Sequence, residues 1–192
     1  MSDHRLAIYR LRLDWRKAVE GIDFLAKRWP GITQYYIGKI FYFADRDHCL
    51  DWGRPISGDR YVAMDHGPVP SRIYDILKYG SGDEDEILGY LSERVTIEID
   101  GNKIHVHSRG NNDFPSLSKT DIEYLEKALR LCKSLSFSEL RAKSHEELPW
   151  EKASEAPENN PPMDLALWFV QAGMDSEVAA EQLAEYAKFG VQ

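Results

Sequence analysis

The sequence predicts a mainly α-helical α+β protein, a compact helical core carrying one small antiparallel β-hairpin. Three observations predict it. Apolar residues recur at helical spacing over 15–29, 36–48 and 73–77, so each segment has a face to bury. Around Asp100-Gly101 the pattern changes to alternation, with Val95, Ile97 and Ile99 before the turn and Ile104 and Val106 after it. Serines three residues ahead of an acid (Ser118-x-x-Asp121, Ser136-x-x-Glu139, Ser144-x-x-Glu147) mark three helix starts. At 192 residues and 43% hydrophobic, the chain supplies enough apolar material for one full core. It reads as a single domain over 1–192, with a core at about 14–153, a linker at 154–162 and C-terminal helices at 163–189.

Taken in order, Leu6–Leu13 is a short lead-in or frayed strand. Asp14 is a good N-cap for a helix whose Trp15, Ala18, Val19, Ile22, Leu25 and Trp29 form a stripe, ended by Pro30-Gly31. Thr33 caps the next helix, where Tyr36, Ile37, Ile40, Phe41, Ala44 and His48 share a face until Gly53 and Pro55 stop it. Gly58-Asp59 is a turn, and Tyr61–Met64 has room for one edge strand. Pro70 suits the first helical position of a helix with Ile73, Tyr74 and Leu77 inward and Gly80 at its end. An acidic loop over 80–86 runs into a short helix at Glu86–Glu93. In the hairpin, a two-residue loop at Asp100-Gly101 sets Ile97 opposite Ile104, Val95 opposite Val106 and Glu98 opposite Lys103. Cys132 falls on the inner face of the helix after Ser118. SEAPENNPP over 154–162 is a polar linker, and Asp164–Ala172 is an apolar helix to be buried in this chain or across a homodimer. Val178, Ala179, Gln182, Leu183 and Tyr186 share one face of the last helix.

Charge and chemistry narrow the function classes. The net charge of −8 is uneven: residues 1–30 hold seven Lys/Arg to four acids, and residues 121–192 hold seven to fourteen. A nucleic-acid surface needs clustered cations, which this chain lacks beyond its first thirty residues. No apolar run is long enough to span a membrane, and MSDHRLAIYR lacks a secretory layout, so the chain reads as cytoplasmic. Cys49 and Cys132 have neither disulfide nor zinc spacing. There is no phosphate loop, nucleophile elbow or H-E-x-x-H run, and no enzymatic role, metal or cofactor is expected. The best polar cluster is Asp45, His48, Asp65 and His66. It reads either as a metal or acid–base site or, more simply, as Asp45 accepting backbone hydrogen bonds beside a satisfied His48. His105 and His107 fall on the polar face of the hairpin. Arg54, Arg60, Tyr61, His66 and Tyr74 have the chemistry of interface anchors on a Pro/Gly-stiffened segment, with core packing the other reading for Tyr61 and Tyr74. Trp150 reads as a core lid.

Three blocks in this order carry a resemblance. They are Lys39-x-x-Tyr42-Phe43-Ala44-Asp45-x-x-His48, then Gly53-Arg54-Pro55-Ile56-Ser57-Gly58-Asp59-x-Tyr61-x-Ala63, then Gly67-Pro68-Val69-Pro70-x-x-x-Tyr74-Asp75. With Ser144-His145-x-x-x-Pro149-Trp150-x-x-Ala153 further on, they resemble the Panacea domain, also called the SocA-like antitoxin domain, over roughly residues 15 to 171. His66 stands where that family more often has a tyrosine. The resemblance implies an antitoxin that neutralises a cognate protein toxin by direct binding. Two other classes stay in view: a proteolytic adaptor delivering its partner to a protease, and a winged-helix DNA regulator with the helix from Pro70 as reader and residues 94–107 as wing.

Overall fold

Asp14 takes an extended backbone and its Oδ1 accepts the Lys17 amide at 3.1 Å, so α1 (Trp15–Arg28) starts at its expected cap. This computed structural model describes residues 11–79, 85–110 and 113–189; the lead-in before residue 11 and the acidic loop over 80–84 lie outside them. Ala18, Val19, Ile22 and Leu25 are fully buried. So are two acids on the same helix, and each is paired. Glu20 accepts from the Tyr90 hydroxyl and from the Ser116 amide and hydroxyl, and Asp23 accepts from Ser108 and faces Arg94 at 3.6 Å.

The chain then forms β1 (Ile32–Thr33) and α2 (Gln34–Trp52). Thr33 has N-cap backbone geometry, but its side chain makes no capping bond. Burial of Ile37, Ile40, Phe41, Tyr42, Phe43 and Ala44 surrounds α2 with protein, and it is the axis of the core. Gly53 at φ 73° closes it, its N–H returning to the Cys49 carbonyl at 2.8 Å.

The next segment departs from expectation. β2 (Tyr61–Met64) pairs with β3 (Gly67–Pro70) as an antiparallel hairpin turning at Asp65-His66, and α3 (Ser71–Tyr79) begins only after Pro70. Pro70 therefore ends a strand and is not the first residue of a helix. Both prolines fit there for one reason. Ala63 donates to the Pro161 carbonyl and Tyr61 accepts from the Met163 amide, so these groups point away from β3. Pro68 and Pro70, paired with Ala63 and Tyr61, occupy non-hydrogen-bonded positions where no ladder N–H is needed. The same bonds stitch the end of the 154–162 linker to β2 through a Val62–Pro162 bridge.

After α4 (Asp85–Arg94), β4 (Val95–Asp100) and β5 (Lys103–Ser108) form the expected hairpin in a different register. Asp100 pairs with Lys103, Ile99 with Ile104, Glu98 with His105 and Ile97 with Val106. The loop is Gly101-Asn102, one residue on from the expected Asp100-Gly101, which moves every cross-strand partner by two, and Gly101 stands at φ 56°. A shift of two keeps every side chain on its face, so alternation alone does not exclude it. β1 pairs with β5, giving the order β1-β5-β4.

α5 (Lys119–Ser134) and α6 (Phe137–His145) both open with complete capping boxes at Ser118 and Ser136. Ser144 does not cap a helix. It lies buried inside α6 with its hydroxyl on the Arg141 carbonyl, and Glu147 is the N-cap of α7 (Leu148–Ser154). The apolar segment over 164–172 is helical only as α8 (Leu167–Gln171), and Leu165, Trp168 and Phe169 are buried within this chain. α9 (Ser176–Phe189) buries Ala179 and Leu183 but leaves Val178 50% exposed. The architecture is mainly helical α+β, with two small antiparallel sheets around the described helices.

Candidate functional site

Asp45, in the middle of α2, is fully buried and accepts four donors: the Ile56 and Ser57 amides at 2.8 and 3.0 Å, the Ser57 hydroxyl at 2.5 Å and the Tyr61 hydroxyl at 2.8 Å. Burial pushes its carboxyl above the ordinary carboxylate range, against these bonds, which favour the ion. It pins the chain after α2 to the helix. Gly58 at φ 67° follows, and an added Cβ there would sit 2.4 Å from the Arg12 carbonyl oxygen, so only glycine fits. Asp59 accepts the Arg60, Arg72 and Ile73 amides and so serves the first turn of α3 from twelve residues upstream of Ser71. Burial raises its carboxyl to about 7.

His48 is buried, with Nδ1 on the Arg54 carbonyl at 2.8 Å and Nε2 3.4 Å from both Thr120 and Asp121. Asp65 and His66 stand exposed at the β2–β3 turn, His66 against the Phe137 ring at 5.5 Å. The expected Asp45/His48/Asp65/His66 cluster therefore divides between a buried pair and an exposed pair. Among the described residues no three His, Cys, Asp or Glu side chains are placed to hold a metal. His105 faces the Gly31 carbonyl, and His107 faces Glu98.

The remaining motif residues converge on one region. Lys39, one turn along α2 from Tyr35, is 2% exposed and donates to the Pro68 carbonyl at 2.9 Å, with Nζ 5.2 Å from the Tyr35 ring centre. Gly67 at φ 99° lets β3 approach: a Cβ would lie 2.3 Å from the Ser144 hydroxyl and 2.8 Å from Lys39 Nζ. Val69 lines the same wall as Pro68. Tyr42 accepts the Trp168 indole N–H at 3.0 Å and faces Glu147 at 3.5 Å, tying α8 to α2. Trp150 donates to the Met64 carbonyl at 3.2 Å and stacks on His145 with centres 3.6 Å apart, so it closes over β2 as expected of a lid.

A groove of about 960 Å³ opens along this region between the start of α2, the β2–β3 turn, the β4–β5 tip and the start of α6. His66 and Tyr74 line it. So do two residues absent from the expected anchors, Tyr35 and the 45%-exposed Phe137, whose rings pack at 4.8 Å. Phe137 follows a capping serine, a solvent-facing position where a large apolar ring was the available signal. The other expected anchors lie elsewhere. Tyr61 is 1% exposed, spends its hydroxyl on Asp45 and packs on Tyr42 and Trp168, so it is a core residue and not a surface anchor. Arg60 is exposed beside a separate small cleft with Val62 and Pro162. Arg54 lies near Trp52 and Tyr186 with its guanidinium 3.4 Å from Asp121.

No helix of the described residues is long and apolar enough to cross a membrane. No curated protein and no solved structure matches the chain. The family described as antitoxin SocA-like, Panacea domain, matches residues 37–151, which run from the first buried isoleucine of α2 to the helix bearing Trp150. That span contains every residue of the Asp45 hub, the Asp59 cap and the Lys39–Gly67 approach, and it covers more than half of the chain, so this protein belongs to the SocA-like antitoxin, Panacea domain, family.

Proposed function

We propose that this protein is the antitoxin of a toxin–antitoxin pair, binding a cognate protein toxin directly and blocking it by occlusion, without catalysis. Membership of the family supports the antitoxin class. The observation that carries the binding mode is the groove. Tyr35, His66, Tyr74 and Phe137 offer partly exposed aromatic surface over a floor of Pro68 and Val69, the composition of an interface hot spot on a rigid base. The cysteines point away from covalent chemistry: Cys49 and Cys132 are fully buried, and burial raises both thiols, Cys132 to about 12.

The test is co-expression and pull-down with the product of the adjacent gene, beside a growth assay of that gene alone. The expected result is a neighbour toxic alone, harmless together and co-purifying. Phe137→Ala and His66→Ala together should weaken the complex by more than tenfold with an unchanged melting temperature, whereas Arg60→Ala and Arg54→Ala should each change it less than threefold. A neighbour that is neither toxic nor bound overturns the reading. Full neutralisation by the groove double variant moves the interface to another face.

A further inference from the structure

Where the groove, at Tyr35 and Lys39, adjoins a second cleft lined by Arg141, His145 and Trp150, two buried polar atoms lack hydrogen-bond partners among the described residues. Lys39 Nζ carries two N–H bonds as the amine and three as the ammonium; among the described residues its one acceptor is the Pro68 carbonyl, and it has no carboxylate partner. The Tyr35 hydroxyl is buried without a hydrogen-bond partner, and so is His145 Nε2. Arg141 lies alongside, its Nε on the Asp65 carbonyl at 3.0 Å, and His66 sits at the same turn. In a chain of net charge −8, this is a local knot of basic side chains. Buried polar atoms left open are costly in a folded protein, and two of them beside a buried lysine can take a polar group from outside.

We propose that this knot is a carboxylate-binding site and that its natural occupant is an acidic side chain of the protein partner, reaching Tyr35 and Lys39 from the groove, with His145 in the adjoining cleft. The inference rests on the antitoxin reading for the identity of the partner, but the carboxylate site stands or falls by itself. A single negative charge fits better than a phosphate dianion, because Arg141 is the one permanently charged cation in the knot. Lys39 is lowered to about 7, first by burial, and Cys132 on α5 opposes that shift. His145 is lowered by burial and then by the charges of Arg141, Lys39 and His66. Tyr35 is raised to about 12, mainly by burial. An arriving carboxylate would restore the charge on Lys39, so binding above neutral pH takes a proton from solvent.

The experiment is titration calorimetry of the full-length protein with its toxin at pH 8, in two buffers of different ionisation enthalpy. The wild type should take up close to one proton per complex. Lys39→Met, which keeps the length of the side chain without its charge, should bind at least tenfold more weakly with no uptake. Equal affinity and equal uptake in the two proteins overturn the proposal and leave the antitoxin reading intact. If the toxin does not bind at all, the antitoxin reading and the partner identity fall together. The site is then read on the protein alone, by NMR of the Lys39 ammonium and the Tyr35 ring during titration with phenylacetate. Saturable shifts, lost in Lys39→Met, keep the carboxylate site for a free acid; no saturable shift overturns it.

Discussion

At the scale of single residues, three buried ionisable groups, Asp45, Lys39 and Asp59, determine how this protein responds to substitution and pH. Asp45 gathers four donors that have no other acceptor among the described residues. Asp45→Ala should cost about 3–5 kcal/mol, because two backbone amides and two hydroxyls lose their partner in a dry interior. Tyr61→Phe removes one of the four bonds and should cost about 1–2 kcal/mol. Urea denaturation of the two variants measures the contrast, and a Tyr61→Phe as damaging as Asp45→Ala would show that the aromatic packing, not the carboxylate, holds the segment. Lys39 gives the pH signature. Its ammonium ionises normally at 10.5 when the chain is unfolded and at about 7 when it is folded. Between those values the unfolded state holds one more proton, so stability rises with pH across that window and the contribution is flat below about 7. Asp59 acts in a lower window: its carboxyl is raised from 3.8 to about 7, so its contribution is present below 3.8 and lost as pH rises towards 7. Denaturation of wild type against Lys39→Met from pH 7 to 10 should show the gap between them narrowing as pH rises, with the variant the more stable near neutrality. A constant gap would mean that Lys39 stays charged in the folded protein.

At the scale of elements, what the sequence revealed was local and what it concealed was long-range. The capping boxes at Ser118 and Ser136 and the left-handed Gly53 are decided within a few residues, and all three occur where their patterns stand. Ser144-x-x-Glu147 has the same pattern and does not cap, because Ser144 is held inside α6 beneath Gly67, a contact across 77 positions. β3 has no β-type composition, and its prolines are tolerated only because β2 turns its hydrogen-bonding groups towards 161–163. The groove was hidden for the same reason: Tyr35 and Phe137 are 102 positions apart. These contacts give a paired prediction. Ser118→Ala removes a used cap and should cost about 1 kcal/mol. Gly67→Ala forces a side chain onto φ 99° and into the Ser144 hydroxyl, and should cost more than about 3 kcal/mol. Ser144→Ala in the same chain should recover part of that loss by removing the hydroxyl clash while leaving the φ penalty and the approach to Lys39 Nζ. Thermal melts of the single and double variants decide it; no recovery at all would place the cost in the backbone and the Lys39 contact.

At the scale of the whole molecule, charge and shape act at different ranges. The acids concentrated in residues 121–192 include exposed positions of α7 and α9: Glu151, Glu177, Glu181 and Glu185. A field of that sign reaches about 8–10 Å at physiological salt and steers a basic partner towards the protein before contact. A field of the same sign as the phosphates repels nucleic acid. In the proposed complex the groove acts only after contact, through aromatic surface and a basic knot whose charge is opposite to the protein's own. The two should separate kinetically. Raising salt from about 50 to 500 mM should slow association with the toxin by about tenfold or more, as screening shortens the reach of the acidic face. Dissociation should change little, because the groove contacts are desolvated in the complex. Groove variants such as Phe137→Ala should do the opposite, speeding dissociation and leaving the salt dependence of association as it was. Stopped-flow mixing with the toxin measures both rates. If the groove variant instead abolished the salt dependence, steering and docking would belong to one surface, and the acidic C-terminal helices would have no part in capture.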